Sequence, residues 1–218
     1  MVQPIELVIF DSDGVLVDSE IIANRVMAEA ATAAGAPMDL HETIALFRGR
    51  NMAFCIEEIE RRSGRVIEEG FAAEVRRATA LAFDHELKAV EGVHEALDLI
   101  RQPYCVASNG PMEKLAHALG LTGLYPRFEG RIFSAYEVGH WKPDPGLFLH
   151  AAQALGTDPA RCIVVEDSIS GVTAAKAAGM RVLGYAGEGP HAAKALHAAE
   201  AEVFDHMRDL PRLLAQSV

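Results

Sequence analysis

Two carboxylates, Asp11 and Asp13, stand directly after the first apolar run of the sequence, which spans residues 5–10. A short run rich in β-branched and aromatic residues predicts a buried strand. Ligands bind just beyond the carboxyl ends of strands in open parallel sheets, so both side chains are expected in a ligand-binding position. Gly14 permits the bend that would turn both carboxylates into one site, although an ordinary Asp-Gly turn is the alternative interpretation.

Three other polar segments follow predicted strands or turns in the same way. Residues 108–110, Ser-Asn-Gly, offer a hydroxyl and loop amides, and Lys142 offers an ammonium held in a proline-rich turn. Glu166 and Asp167 add two carboxylates where a helix is predicted to start. Four carboxylates at one sheet edge would repel one another unless a hard cation lay among them, and oxygen ligands suit Mg²⁺. The sequence therefore predicts a magnesium site, with Mn²⁺ left open.

The segments that would position these side chains alternate between strand and helix in the C-terminal part of the chain. Candidate strands cover residues 5–10, 104–107, 131–133, 162–165 and 181–185. Helical patterns lie between the later strands, over residues 112–119, 145–155 and 168–178. This alternation predicts an α/β protein with a doubly wound, Rossmann-like parallel sheet.

One long gap interrupts the alternation between the first strand and the strand near residue 104. The gap is predicted to be helical over residues 19–34, 51–62 and 68–83. We therefore expect a catalytic core domain made of residues 1–16 and 88–218, with a helical cap domain of residues 17–87 inserted into it.

Composition limits the partners of the protein. The 31 acidic residues outnumber the 20 basic ones, which disfavours binding to nucleic acid or to an anionic membrane. The three cysteines are odd in number and stand outside any Cys-x-x-Cys pattern, which is typical of reduced core residues. We expect a cytoplasmic monomer that binds neither nucleic acid nor a membrane.

Taken in order, with a helical insert between the first two, the four polar segments resemble those of the haloacid dehalogenase-like hydrolase superfamily. The resemblance covers nearly the whole chain and is closest to the phosphatase and phosphomutase branch with a small helical cap. It implies a phosphoric monoester hydrolase that depends on Mg²⁺ and acts on a small phosphorylated metabolite. In this branch Asp11 would be the nucleophile that forms an aspartyl-phosphate, and Asp13 the general acid and base.

The resemblance also implies roles for the other polar residues. Ser108 and Lys142 would hold the transferring phosphoryl oxygens. Asp11, Asp167 and the backbone carbonyl of Asp13 would bind the metal, and Glu166 would bind it directly or through water.

Substrate contacts are expected from three further residues. The backbone of Asn109 and Gly110 could bind phosphate, with a plain turn as the alternative. Arg48 of the cap could bind the rest of the substrate, with a solvated loop as the alternative. The motifs most resemble phosphatases of sugar or sugar-acid phosphates, which makes 6-phosphogluconate the first candidate, and Arg50 or Lys114 could add a cation for its carboxylate.

Two alternative functions remain open. A sugar phosphomutase of the beta-phosphoglucomutase type carries a histidine five residues after the aspartate that corresponds to Asp18, but this sequence has Ala23 there. A non-enzymatic signalling receiver protein also carries an aspartate that becomes phosphorylated at the edge of a parallel sheet. The inserted helices and the order of Asp11 and Asp13 disfavour it.

Overall fold

The computed structural model describes residues 4–47, 50 and 52–215, and all strands in these residues belong to one parallel sheet. In chain order the strands are β1 (Leu7–Phe10), β2 (Tyr104–Ser108), β3 (Ile132–Ser134), β4 (Cys162–Glu166), β5 (Arg181–Tyr185) and β6 (Glu202–Phe204). Across the sheet their order is β3-β2-β1-β4-β5-β6. The predicted doubly wound α/β fold is confirmed.

The chain divides into two compact units. One unit, called the core unit here, holds the residues up to Asp18 and those from Ala89 onward; the other, the helical unit, is Ser19–Lys88. The helices of the helical unit are α1 (Glu20–Ala33), α2 (Leu40–Phe47), α3 (Met52–Ser63) and α4 (Phe71–Glu86). The sequence pattern did not predict α2.

In the core unit, one helix precedes β2, and each strand from β2 onward is followed by one or two helices. They are α5 (Val93–Leu99), α6 (Met112–Leu121), α7 (Tyr125–Phe128), α8 (Ala135–Val138), α9 (Gly146–Ala154), α10 (Ile169–Ala177), α11 (Pro190–Ala198) and α12 (Leu210–Ala215). Short 3-10 turns occupy Pro159–Arg161 and Met207–Asp209. Helical crossovers between parallel strands cover both faces of such a sheet, which explains why β1 and β4 are buried and mostly apolar along their length.

The order of the strands reverses direction at β1. From β1 the chain builds outward through β2 to β3 on one side, and from β4 through β5 to β6 on the other. Phe10 pairs with Val106 on one neighbour and with Val165 on the other, so the ends of β1, β2 and β4 lie at one edge. The crevice at such a switch point is where open α/β sheets bind ligands.

Each unit has its own apolar core. In the core unit, buried side chains of β1 and β4 such as Leu7, Ile9 and Val164 pack with Leu147 and Phe148 of α9. In the helical unit, Val26 and Met27 of α1 pack with Phe47, Ile59 and Val75. Burial of apolar area at about 25 cal/mol per Å² supplies most of the stabilisation of such cores.

None of the helices within the described ranges is long and apolar enough to cross a membrane.

Candidate active site

Asp11 is the first residue beyond β1 and is buried at the switch point of the sheet. Its backbone N–H donates to the carbonyl of Val165 at 3.0 Å, which continues the pairing of β1 with β4 by one residue. The chain then turns sharply, because the carbonyl of Ser12 accepts hydrogen bonds from Leu16 and Val17 at 2.9 and 3.1 Å. Because of this turn, Asp13 stays at the same edge of the sheet as Asp11.

Gly14 is required by this turn for two reasons. Its φ of 76° lies in the left-handed region that favours glycine. A Cβ at this position would also collide with the carboxylate of Asp167. The Asp11-Ser12-Asp13-Gly14 segment and Asp167 therefore lie against each other, although 153 residues separate Gly14 from Asp167 in the sequence.

Lys142 reaches between the ends of β1 and β4 and is buried there, with 3% of its side chain exposed. Its Nζ donates to Oδ1 of Asp11 at 2.7 Å and to Oε1 of Glu166 at 2.8 Å. The ammonium also lies 4.8 Å from the centre of the Phe148 ring. A buried ammonium needs such partners, because removing a charge from water without them is very costly.

The backbone of Lys142 is held by the side chain of Asn109, which follows β2. The N–H of Lys142 donates to Oδ1 of Asn109 at 2.9 Å, and Nδ2 of Asn109 donates to the carbonyl of Lys142 at 3.3 Å. This paired contact fixes the loop that carries the lysine. The side chain of Asn109 thus supports Lys142, and the predicted substrate contact of Asn109 would fall to its backbone.

The turn after β2 is closed by hydroxyl groups. Ser108 is buried, and its Oγ accepts a hydrogen bond from the N–H of Gly110 at 3.2 Å. Oγ of Ser134 donates to the carbonyl of Gly110 at 2.7 Å. The hydroxyl of Ser108 is therefore held at the end of β2, at the sheet edge where β1 ends in Asp11.

Glu166 is bound by protein groups through both of its carboxylate oxygens. Oε1 accepts from Lys142, and Oε2 accepts from the N–H and the Oγ of Ser168 at 2.7 and 2.8 Å. Ser168 also caps α10, since its Oγ accepts from the N–H of Gly171 at 3.0 Å. A Cβ at Gly171 would collide with the Glu166 carboxylate. Glu166 thus ties Lys142 to the start of α10.

Asp11, Glu166 and Asp167 form an acidic cluster in which one carboxylate oxygen of each lies within 4.8 Å of the others. Three carboxylates at this spacing provide oxygen ligands of the kind that Mg²⁺ prefers. A cation among them would relieve their mutual repulsion. Burial is the largest cause of the raised pKa of Asp11, and the charges of Glu166 and Asp13 add to it.

The charges around Lys142 keep its side chain protonated although it is buried beside Asp11. Burial, the largest cause, raises the pKa of Asp11 to about 7, while Lys142 lowers it. Burial lowers the pKa of Lys142, but the charges of Asp11 and Glu166 raise it by more, so that it lies above its ordinary value. Lys142 therefore stays charged at neutral pH, and a cation beside Asp11 would favour its ionised form.

Asp13 is paired with a residue that lies 101 positions away. Nζ of Lys114, on α6, lies 2.7 Å from Oδ2 of Asp13. The two side chains are 35% and 20% exposed. The sequence predicts Lys114 only as a cation for a substrate carboxylate, because its pairing with Asp13 depends on tertiary structure.

The predicted site residues are thus brought together in the core unit, with one exception. Arg48 lies outside the described residues, and its predicted substrate contact stays a prediction. Arg50 of the helical unit stacks its guanidinium 4.8 Å from the centre of the Phe54 ring. Sequence reasoning missed the support given by Ser168 and Gly171, although Ser168 stands where an N-cap of α10 is expected.

Comparison with known proteins identifies relatives over the whole chain. The family model of haloacid dehalogenase-like hydrolases matches residues 5–179. The 6-phosphogluconate phosphatase of Escherichia coli K12 is 37% identical over 210 residues, which cover 96% of this chain and 94% of that protein. A phosphorylated carbohydrates phosphatase of Thermotoga maritima is 32% identical and covers 80% of this chain and 82% of its own length.

Solved structures agree with this assignment. A conserved haloacid dehalogenase-like protein from Agrobacterium tumefaciens superposes with a TM-score of 0.87 at 37% identity, covering 97% of this chain and 98% of that one. A hydrolase of the same family from Deinococcus radiodurans, with bound phosphate and sodium, has a TM-score of 0.81 at 33% identity, with coverage of 98% and 96%. The predicted family and the predicted enzyme class are confirmed. The chain is a phosphatase and belongs to the haloacid dehalogenase-like hydrolase family.

Proposed function

We propose that the protein hydrolyses a small sugar phosphate or sugar-acid phosphate, with 6-phosphogluconate as the first candidate, through a phosphorylated Asp11. The observation that carries the proposal is the position of Asp11. It is a buried carboxylate at the switch point of the sheet, 2.7 Å from a permanently charged ammonium and within a cluster of two further carboxylates. A carboxylate so placed can attack a phosphoryl group whose negative charge is neutralised on several sides.

The acidic cluster fits Mg²⁺. Asp11 and Asp167 would supply carboxylate ligands and Asp13 its backbone carbonyl. Glu166 already binds Lys142 and Ser168 through its two oxygens, which favours an indirect role for it, through water or through Lys142. When bound, Mg²⁺ would neutralise charge on the phosphoryl oxygens and so favour approach of the anionic nucleophile.

In the first step a carboxylate oxygen of Asp11 attacks phosphorus, and the bond from phosphorus to the leaving oxygen breaks. Asp13 gives a proton to that oxygen, so the sugar leaves as a neutral alcohol. Lys142 and the hydroxyl of Ser108 would bind phosphoryl oxygens during the transfer.

In the second step water attacks the phosphorus of the aspartyl-phosphate. Asp13, now ionised, takes a proton from the water, and phosphate leaves with regeneration of the Asp11 carboxylate. Because the hydrolysis proceeds in two steps, Asp13 can act as the acid in the first step and as the base in the second.

The substrate class rests on relatives and on one residue of α1. The relatives named above act on 6-phosphogluconate and on phosphorylated carbohydrates, and the Deinococcus protein holds a phosphate. Ala23 stands where a mutase of the related type has histidine, which favours net hydrolysis. Lys114 is engaged with Asp13, so Arg48 stays our candidate for a second anionic group of the substrate.

The proposal is tested with a panel of phosphate monoesters assayed for phosphate release with Mg²⁺. Asp11→Asn should retain less than about 1% of the wild-type rate, because an amide is a poor nucleophile of nearly the same shape. Asp98→Asn, the same change on the exposed surface of the core unit where Asp98 pairs with Arg127, is the control and should keep full activity.

A second measurement looks for the intermediate directly. Wild-type protein quenched during turnover of a radiolabelled substrate should carry label that hydroxylamine removes, and Asp11→Asn should carry none. Turnover by Asp11→Asn near the wild-type rate would refute the nucleophile. Nucleotides or phosphopeptides that outrun every sugar phosphate would refute the substrate class, and a product with phosphate on another carbon would identify a mutase.

A further inference from the structure

Lys114 and Asp13 form a contact that the proposed roles leave unexplained. Nζ of Lys114 lies 2.7 Å from Oδ2 of Asp13, although the two residues come from α6 and from the turn after β1. Both side chains are partly exposed, and exposed ion pairs of this kind contribute only about 0–1 kcal/mol to stability. Stability alone therefore gives little reason for a lysine at this position.

The main chain on both sides of the contact is firmly held. Lys114 precedes Leu115, which is buried and whose N–H donates to the carbonyl of Pro111 at 3.1 Å. On the other side, the turn that Ser12 and Gly14 form fixes the backbone of Asp13. The ion pair thus joins two fixed points, and what it determines is the direction of the aspartate side chain.

A proton donor must be correctly directed as well as present. Misplacement of a reacting group by about 1 Å can slow a reaction by about 10²-fold. The aspartate side chain rotates about two bonds, and a hydrogen bond to Oδ2 restricts the rotation of the carboxyl plane, and with it the direction of Oδ1.

We propose that Lys114 is a positioning residue that orients the carboxyl group of Asp13 toward the leaving oxygen of the substrate. The inference rests on the proposed function, since it takes Asp13 as the acid and base of the reaction. Lys114 itself does not touch the reacting atoms. It acts through the contact with Asp13 and is distinct from a cation that binds the sugar part of the substrate.

The test compares two substrates of nearly the same shape whose leaving groups differ in their need for a proton. Phenyl phosphate releases a poorer leaving group than p-nitrophenyl phosphate, and neither offers sugar hydroxyls or a carboxylate to bind. In Lys114→Met, kcat/KM for phenyl phosphate should fall about 10–100-fold, a partial loss of the roughly 10²–10⁴-fold that proton transfer contributes, since Asp13 is still present. For p-nitrophenyl phosphate it should fall only a few-fold, and Lys114→Arg should recover most of the loss.

The matched control is Lys176→Met. Lys176 is a partly exposed lysine of α10 that pairs with Glu200, and its loss should leave kcat/KM unchanged for both substrates. A measurement independent of turnover is the NMR resonance of the labelled Asp13 carboxyl carbon, assigned by its absence in Asp13→Asn. The chemical shift of this resonance should change in Lys114→Met and stay the same in Lys176→Met.

Each other outcome refutes the proposal. Equal losses for the two aryl phosphates would mean that Lys114 does not act through proton transfer. A loss confined to 6-phosphogluconate would make Lys114 a substrate-binding residue. An unmoved Asp13 resonance would mean that the lysine does not direct the carboxyl group. Failure of the proposed function is recognised separately, because wild-type protein would then form no phosphorylated intermediate.

Discussion

Lys142→Met replaces a buried ammonium by an uncharged side chain of similar length. The two carboxylates that it leaves behind, on Asp11 and Glu166, lie 2.7 and 2.8 Å from the nitrogen in the wild-type protein. Asp11 is 8% exposed and Glu166 is 1% exposed, so water reaches them poorly. The variant therefore contains two buried carboxyl groups that have lost their shared positive partner.

The size of the effect follows from this burial. Removing one partner of a buried ion pair destabilises a protein by about 3–5 kcal/mol, because the other charge stays buried and unpaired. For a chain of this size, each kcal/mol lowers Tm by about 2–4 °C. Lys142→Met should therefore melt roughly 6–20 °C below the wild type, from the product of these two ranges.

The assay is thermal unfolding in EDTA, because a divalent cation could itself neutralise the two carboxylates. The single tryptophan, Trp141, belongs to the core unit and allows fluorescence to report on that unit. The double variant Lys142→Met/Asp11→Asn replaces one of the two unpaired carboxyl groups by an amide and should recover about half of the lost stability. Lys176→Met is again the control, since loss of an exposed ion pair changes stability by less than about 1 kcal/mol.

Two results would refute this reasoning. A Tm of Lys142→Met within the error of the wild-type value would mean that the ammonium is not needed to bury the carboxylates. A double variant that melts no higher than the single variant would mean that the cost does not come from unpaired charge.

Two further predictions concern the metal and the helical unit. Asp167→Asn should raise the Mg²⁺ concentration for half-maximal activity by more than about tenfold, because mutation even of residues that only support metal ligands weakens metal binding by about 10–100-fold. An unchanged Mg²⁺ requirement would exclude Asp167 as a ligand. Hydrogen bonds first from Arg61 and then from Arg62 lower the pKa of Glu58 from 4.5 to about 2. Since the folded pKa is the lower one, the stabilisation is present above pH 4.5 and is lost as the pH falls toward 2. Glu58→Gln should therefore lower the free energy of unfolding in urea by about 1 kcal/mol at neutral pH and by less near pH 3. The control is Glu57→Gln, on the exposed side of the same helix, which should change the free energy of unfolding at neither pH. An equal loss of stability in Glu58→Gln at both pH values would contradict the role of the ionised Glu58.

Much of the sheet could be predicted from sequence because its strands are continuous apolar runs that end in polar turns. The runs before Asp11 and Glu166 are of this kind, and the predicted strands differ from β1 and β4 by two residues or fewer. The β6 strand, which has three residues and lies at one edge of the sheet, escaped prediction. The helix α2 had a usable signal, since Oδ1 of Asp39 accepts from the N–H of Glu42 in the manner of a capping box.

The identity of the polar residues at the site could be predicted, but their partners could not. Asn109 holds Lys142 across 33 positions, and Lys114 reaches Asp13 across 101. No local pattern encodes such pairs, because they depend on which strands are neighbours. The sequence also left open how Glu166 takes part, and both of its oxygens proved to be bound to protein groups.

The contacts of Lys142 explain why this site can keep a charged cluster together. The lysine comes from the segment after β3, its backbone is held by Asn109 after β2, and its ammonium joins β1 to β4 through Asp11 and Glu166. Each contact thus links a residue to a different strand from the one it follows, and the ammonium joins the two strands at which the strand order reverses. Because neighbouring strands are fixed by backbone hydrogen bonds, these side chains have little freedom to move apart under their own repulsion. The order of the strands therefore does more than bring the carboxylates together: it supplies the rigidity that a preorganised phosphoryl-transfer site needs before any substrate is bound.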